Sequence, residues 1–456
     1  MQQSGAAAEY TPHCTAFELF QICPVQITYY KRKEKLTMKA VISPSEAKGR
    51  VTIPPSKSMA HRAIICASLA DGVSVISNID YSVDITTTIE CMRKLGAEII
   101  CDKSTVTVQG IKDFSGLEDS HIECSESGST LRFLIPVFSL TGQKITFTGK
   151  NRLLKRPQKI YEDMFTGRGL HFVQTEEKIE IQGALTGGEY TLSGGVSSQF
   201  ISGLLFTLPL LESNSKIHIL PPFESRSYID LTIQMLAKFG VEIMWEDNLT
   251  LYIKGGQRYI PHNETVEGDF SQFAFFGVLS AINGTVDICG MNPDSLQGDK
   301  QIIEILSRFG CDIACENGIY HISAEKLKAS DIDLKNCPDL GPVLCTLAMF
   351  AEGKTRIYNA SRLRLKESDR IMAMEKECAK MGCRITSNEN EMIIHSGHTC
   401  PKEPLDGWKD HRIVMACAVV LSVLGGEIDG CEAVAKSYPS FFEDLKKAGI
   451  EVELYD

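Results

Sequence analysis

The chain has 456 residues, 43% of them apolar and 23% charged, the balance of an ordinary globular protein of roughly two to four domains. Its longest nearly apolar run, Ile413 to Leu424, falls well short of the roughly 20 residues a helix needs to cross a bilayer, so no membrane span is expected. With 47 basic and 58 acidic residues the net charge is −11, which repels a phosphodiester backbone and argues against a nucleic-acid partner.

Residues 1–37 show neither the apolar segment of a secretory signal nor the Arg- and Ser-rich character of a transit peptide. They are expected to form a poorly ordered leader, of the kind an upstream start codon would add, and the protein is expected in the cytoplasm. A regular pattern begins at Met38-Lys39-Ala40-Val41-Ile42.

From there the chain repeats itself six times. In chain order, the apolar stretch PSKSMAHRAIICASLADG precedes the alternating stretch LGAEIICDKSTVTVQG, and SESGSTLRFLIPVFSLTG precedes RGLHFVQTEEKIEIQG. VSSQFISGLLFTLPLLES then precedes FGVEIMWEDNLTLYIKGG, and GDFSQFAFFGVLSAING precedes FGCDIACENGIYHISAE. PDLGPVLCTLAMFAEG precedes MGCRITSNENEMIIHSG, and DHRIVMACAVVLSVLGG precedes AGIEVELYD. Each apolar stretch opens on small, polar or charged residues and then runs about three turns, as a helix buried all round does. Each alternating stretch starts at a glycine (Gly96, Gly169, Gly240, Gly310, Gly382 and Gly449), which fits a left-handed helix cap followed by a half-buried hairpin. A unit of about 70 residues thus reads strand, buried helix, strand, amphipathic helix, hairpin. The 16 cysteines are spread from Cys14 to Cys431 without a C-x-x-C pair, the closest being Cys311/Cys315 and Cys378/Cys383, and read as reduced core residues rather than metal ligands.

The openings of the buried helices carry the chemistry. They hold Lys57 and Ser58; Gly128 and Ser129; Ser197, Ser198 and Gln199; Asp269; Asp339; and Asp410, His411 and Arg412. A helix N-terminus offers free N–H groups and about half a positive charge, so several such ends facing one cleft make an anion trap. Asp269 reads best as a simple N-cap. Beside these openings stand Lys57, Arg62, Arg152, Lys155, Arg156, Lys366, Arg370, Arg412 and Lys436, cations suited to carboxylates and phosphates.

PSKSMAHR (55–62), SGSTLR (127–132), NRLLKRP (151–157), SSQ (197–199), the Asp of CPDLGP (337–342), LKESDR (365–370), DHR (410–412) and AKSYPSFF (435–442) occur in the order seen in the 5-enolpyruvylshikimate-3-phosphate synthase family, which the chain resembles over essentially all of 38–456. The resemblance implies a two-domain inside-out α/β barrel of six βαβαββ units, with one discontinuous domain, 38–55 plus 268–456, and a second, 56–267. It implies a monomer, without cofactor or metal, acting on phosphoenolpyruvate and shikimate 3-phosphate. By the same resemblance Ser58 and Arg62 hold the carboxylate of shikimate 3-phosphate, Ser197, Ser198 and Ser225 its phosphate, and Gln199 lies between the substrates. Lys57, the Gly128 N–H and Arg152 grip the phosphate of phosphoenolpyruvate, and Arg370 with Arg412 its carboxylate. Asp339 is the candidate base, with Lys366 beside it; Glu367 and Lys436 are candidates for proton delivery, and Lys57, Arg370 and Arg412 for charge stabilisation. Against these stand plainer roles, a helix cap for Asp339 and a salt bridge in the run Arg364 to Arg370 for Glu367. Arg362 stands where many relatives have Asn, Glu126-Ser127-Gly128-Ser129 replaces Asn-Ala-Gly-Thr, and Phe133 replaces a frequent Pro.

Two other readings fit the sequence less well. The sister family that modifies UDP-N-acetylglucosamine resembles the chain less, since a Lys-Asn pair is expected at Lys57-Ser58 and a cysteine near Arg152, where none occurs between Cys124 and Cys289. A non-catalytic six-repeat ring of the sliding-clamp kind needs basic residues along its helices, whereas here they gather at helix starts.

Overall fold

The turn of each unit is made at its glycine. The computed structural model describes residues 38–456 apart from Gly116 and Glu118, so the expected leader lies outside the described residues. Gly96, Gly169, Gly240, Gly310, Gly382 and Gly449 all have φ between +71° and +114°, the left-handed region that L side chains enter only with strain. Five of them lead into the expected hairpins: Glu98–Asp102 with Thr105–Gln109, His171–Gln174 with Ile179–Gln182, Ile243–Trp245 with Thr250–Ile253, Asp312–Glu316 with Ile319–Ser323, and Arg384–Ser387 with Glu391–His395. The sixth departs from the expectation. Val452–Tyr455 pairs antiparallel with Lys39–Ile42, so a strand from the opposite end of the described chain completes that unit.

Six four-stranded sheets of one common order result. In each, a strand parallel to its neighbour is joined to the two antiparallel strands of the hairpin; Gly188–Ser193 and Ser215–Leu220, for example, run parallel on either side of the buried helix Ser198–Thr207. Two further sheets draw one strand from far along the chain: Glu264–Thr265 pairs with Val73–Ser77, and Ala47–Thr52 with Gly284–Cys289. The two connecting segments run side by side, Ser56 N–H donating to the Glu267 carbonyl at 2.7 Å and Asp269 N–H to that of Pro54 at 3.0 Å. Buried apolar residues fall into two clusters, one drawn from 40–53 and 270–452, the other from 59–266.

Within the first cluster the buried helices Phe270–Asn283, Gly341–Phe350 and His411–Leu424 pack pairwise on one another. Every residue from Ile413 to Ser422 is buried, which is why that run has no polar face. Within the second, Gly128–Ser139 packs on Ser198–Thr207, and Lys57–Leu69 on the amphipathic helices Val83–Leu95 and Arg226–Lys238. Among the described residues no helix is long and apolar enough to cross a membrane, and the fourteen described cysteines are free thiols, most of them buried.

The contact between Gly128–Ser139 and Ser198–Thr207 depends on Gly203, where a Cβ would overlap the Arg132 carbonyl oxygen and the Tyr161 hydroxyl. Pro136 accounts for that hydroxyl. Lacking an N–H, it cannot serve the Arg132 carbonyl four residues earlier, and the Tyr161 O–H donates to that carbonyl at 2.6 Å, with Phe200 O as second acceptor at 3.1 Å. Tyr161→Phe strands the carbonyl in the core and is expected to cost about 1–3 kcal/mol. The check is a lower urea midpoint at constant m-value, and an unchanged midpoint would contradict it.

Candidate active site

The marked helix openings face one cavity. From the 59–266 side it is lined by Lys57, Ser58, Arg62, Gly128, Ser129, Ser197, Ser198, Gln199 and Ser225; from the other side by Asp269, Asp339, Lys366, Glu367, Arg370, His411 and Arg412. At four of the six N-termini a side chain fixes the local backbone: Ser127 accepts from Thr130 N–H, Ser197 from Gln199 N–H, Asp269 from Ser271 N–H and Asp410 from Arg412 N–H. Asp269 is thus the N-cap that its sequence suggests. It does more, because its second oxygen accepts from the Lys57 N–H at 3.1 Å and ties together helix starts whose residues belong to different apolar clusters.

On the 59–266 side the cations are held by neutral or acidic partners. Lys57 Nζ donates to Asp84 at 2.8 Å. The Arg62 guanidinium donates to Thr232 Oγ1, Ser58 O and Tyr228 O, which leaves two of its five N–H groups for a ligand; burial lowers its pKa to about 10. Gln199 is fixed at both ends of its amide, accepting from Arg132 Nη1 at 2.9 Å and donating to Ser129 Oγ at 2.9 Å.

The facing wall is a charge network centred on Arg370, which is 1% exposed. Its Nε donates to Asp410 at 2.8 Å, Nη1 to Asp339 at 3.1 Å and Nη2 to Glu367 at 2.8 Å. Lys366 Nζ donates to the same Asp339 oxygen at 3.0 Å, and Arg412 Nη2 lies 3.4 Å from the other. Asp339 therefore makes ionic contacts rather than capping a helix. Glu367 does form the salt bridge of its own charged run, with Arg370, and it meets Lys436 Nζ at 3.4 Å as well. Burial alone would raise the pKa of Asp339, but Arg412, Lys366 and Arg370 hold it well below the usual carboxylate range. Burial is likewise outweighed at Glu367, where Lys436, Arg370 and Arg156 keep the carboxyl well below its ordinary value. Lys436 is raised, its burial being offset by Glu367, Asp84 and Glu126.

Arg152 and Lys155 lie elsewhere than the sequence suggests, while Lys436 meets Glu367 from a second cavity. Arg152 is exposed and lines a neighbouring cavity, which shares Arg156 and Glu367 with the first. Lys436 lines that second cavity too. Lys155 is exposed and paired with Glu176 at 3.2 Å. In NRLLKRP the turn Leu153–Lys155 buries both leucines and directs Arg152 outward, whereas Arg156 resumes an extended backbone and lies against Gly128. Sequence reasoning missed Asp84, Tyr228 and Ser271, which line the cavity. It also missed Asp299, whose carboxylate accepts from the Tyr228 hydroxyl at 2.5 Å and whose pKa burial and the nearby Asp339 raise to about 7.

The model of the EPSP synthase (3-phosphoshikimate 1-carboxyvinyltransferase) family matches residues 41–445. Over 416 residues the chain is 42% identical to a 3-phosphoshikimate 1-carboxyvinyltransferase of Clostridium kluyveri, spanning 90% of this chain and 97% of the relative. A second, from Clostridium perfringens, is 44% identical over 416 residues, 90% of this chain and 98% of that protein. The solved structure of an EPSP synthase from Acinetobacter baumannii matches with a TM-score of 0.77 at 27% identity, over 92% of this chain and 100% of that one. An enolpyruvyl transferase of Streptomyces tendae, 16% identical with a TM-score of 0.74, shares the fold. Six sheets of one topology, two facing walls of anion-seeking helix starts and relatives matched over nearly their whole length agree: the chain belongs to the EPSP synthase family.

Proposed function

We propose that this cavity carries out the reaction of the family, transfer of the enolpyruvyl group of phosphoenolpyruvate to the 5-hydroxyl of shikimate 3-phosphate with release of phosphate. The observation that carries the reading is Arg412 Nη1. It is buried without a hydrogen-bond partner among the described residues, on a side chain beside Asp339 that shares the cavity with Arg370 and Glu367, and an unpaired buried guanidinium N–H calls for an anion. Phosphoenolpyruvate places its carboxylate there and its phosphate toward Lys57, the Gly128 N–H, Arg156 and Arg152. Shikimate 3-phosphate lies against the opposite wall, with its carboxylate at Ser58 and Arg62, its phosphate at Ser197, Ser198 and Ser225, and Gln199 between the two ligands.

The reaction needs a proton at the methylene carbon, a hydroxyl made nucleophilic toward the adjacent carbon, and expulsion of phosphate from the tetrahedral adduct. Asp339 takes the hydroxyl proton; Glu367 with Lys436 supplies the methylene proton; Lys57, Arg370 and Arg412 stabilise the anionic adduct. The two apolar clusters support a division into domains 38–55 plus 268–456 and 56–267. That both walls come from one chain supports a monomer as the working unit. The test is phosphate release with both substrates and with each omitted in turn. Release should require both, and no release with both present would overturn the reading.

Gly128 supplies a second check. A Cβ there would lie 2.7 Å from Arg156 Nη1, so Gly128→Ala moves the guanidinium and crowds the anion seat. Glyphosate, the inhibitor of the family, has one more backbone atom between its carboxylate and its phosphorus than phosphoenolpyruvate and so has less room to withdraw. Its inhibition constant is expected to rise more than the KM for phosphoenolpyruvate, and equal increases would refute the crowding argument.

A further inference from the structure

The three side chains assigned above to the substrate's phosphate are serines. They bring hydroxyl groups but no charge, whereas a phosphate monoester carries about −1.5 to −2 at pH 7. The cation within reach belongs to the facing wall. Arg362 lines the cavity at 7% exposure, and its Nη1 donates to Ser225 Oγ at 2.6 Å while Nη2 donates to the Lys335 carbonyl at 2.7 Å. Its Nε lies 2.6 Å from Glu224 Oε2. That contact is ionic without being an aligned hydrogen bond, for both atoms lack a partner in the N–H direction.

The neighbouring cations are committed elsewhere. Lys366 is held by Asp339, and Arg62 by Thr232, Ser58 and Tyr228. The loop that presents Ser225 is itself tied to the facing wall, since the Ser225 N–H donates to the Lys335 carbonyl at 3.0 Å. Ser225 has φ +56°, a left-handed conformation that a serine keeps only where its surroundings enforce it.

We propose that Arg362 is the charge partner of the phosphate of shikimate 3-phosphate in this chain, and that it sets the preference for the phosphorylated acceptor. The inference rests on the assignment of Ser197, Ser198 and Ser225 to that phosphate. With the phosphate on Ser225, an Nη1 N–H beside Ser225 Oγ donates to a phosphate oxygen, a charge-assisted hydrogen bond between guanidinium and phosphate. Glu224 at Nε and the Lys335 carbonyl at Nη2 keep the guanidinium in place.

The experiment uses the full-length enzyme and two variants, Arg362→Asn and Arg362→Lys. The readouts are the KM for shikimate 3-phosphate and the inhibition constant of unphosphorylated shikimate, which competes for the same site. A charged hydrogen bond is worth enough that Arg362→Asn should raise that KM roughly 10- to 100-fold. The shikimate constant should stay within about twofold, the size of change left when no charged contact is lost. Arg362→Lys, which keeps the charge but loses the planar guanidinium held between Glu224 and the Lys335 carbonyl, should fall between. An unchanged KM in Arg362→Asn, or an equal loss for shikimate and its phosphate, would overturn the proposal. Both outcomes differ from failure of the reaction assignment itself, which would show as no phosphate release from the unmodified enzyme.

Discussion

Glu367→Gln is expected to lower turnover by roughly two to four orders of magnitude while the KM for phosphoenolpyruvate changes little. In the structure one Glu367 oxygen accepts from Arg370 and the other faces Lys436 at 3.4 Å and Arg156 at 4.0 Å. Those cations keep the carboxyl ionised. The carboxylate and phosphate of phosphoenolpyruvate compensate the same cations, so the pKa of Glu367 rises as that substrate arrives and the group becomes able to carry a proton. Lys436, raised and therefore protonated, is the adjacent group proposed to share that proton. Glutamine keeps the volume and still accepts from Arg370 but cannot gain and lose a proton. Exchange of solvent deuterium into the methylene group of phosphoenolpyruvate should slow together with turnover. Normal exchange with slow turnover would assign Glu367 to another step and leave proton delivery to Lys436.

Much of the architecture is legible in the sequence because it is local. Gly96 and its five counterparts are required by backbone conformation, and the apolar runs from Ile413 and Phe270 have no polar face to leave outside. The exchange of strands is not local. Nothing in Lys39–Ile42 marks it as the partner of Val452–Tyr455, since a short alternating strand pairs equally well in many registers until the core selects one.

The candidate site divides in the same way. Helix openings announce themselves by residue type, and Ser197, Asp269 and Asp410 sit where a cap is needed. Asp84 instead looks like an ordinary acid in the first turn of an amphipathic helix, and only the packing of Val83–Leu95 on Lys57–Leu69 brings it to Lys57. Tyr228 and Asp299 meet across the two apolar clusters, a pairing that neither local pattern contains. Arg152 and Arg156 show the limit from the other side: four residues apart and chemically identical, they are separated by a single turn that buries Leu153 and Leu154.

Asp339→Asn separates base from binder. A carboxylate held well below its ordinary pKa is fully ionised at neutral pH, and its charge is lost only as pH falls through that depressed value, so raising the pH cannot rescue the variant. A strongly depressed carboxylate is also a weak base. Two of the cations that depress it, Arg412 and Arg370, are those assigned to the carboxylate of phosphoenolpyruvate, whose binding draws them away and restores basicity when the acceptor hydroxyl is in place. The acid limb of kcat, which reports the bound state, should therefore lie at higher pH than any contribution of Asp339 to kcat/KM, which reports the free enzyme. Asparagine still accepts from Lys366 but takes no proton and leaves one more net positive charge in the cavity. Turnover is expected to fall by roughly two to four orders of magnitude, with the KM for phosphoenolpyruvate unchanged or lower. A variant that keeps its turnover and loses only affinity for shikimate 3-phosphate would make Asp339 a ligand of the acceptor and move the base elsewhere on the wall.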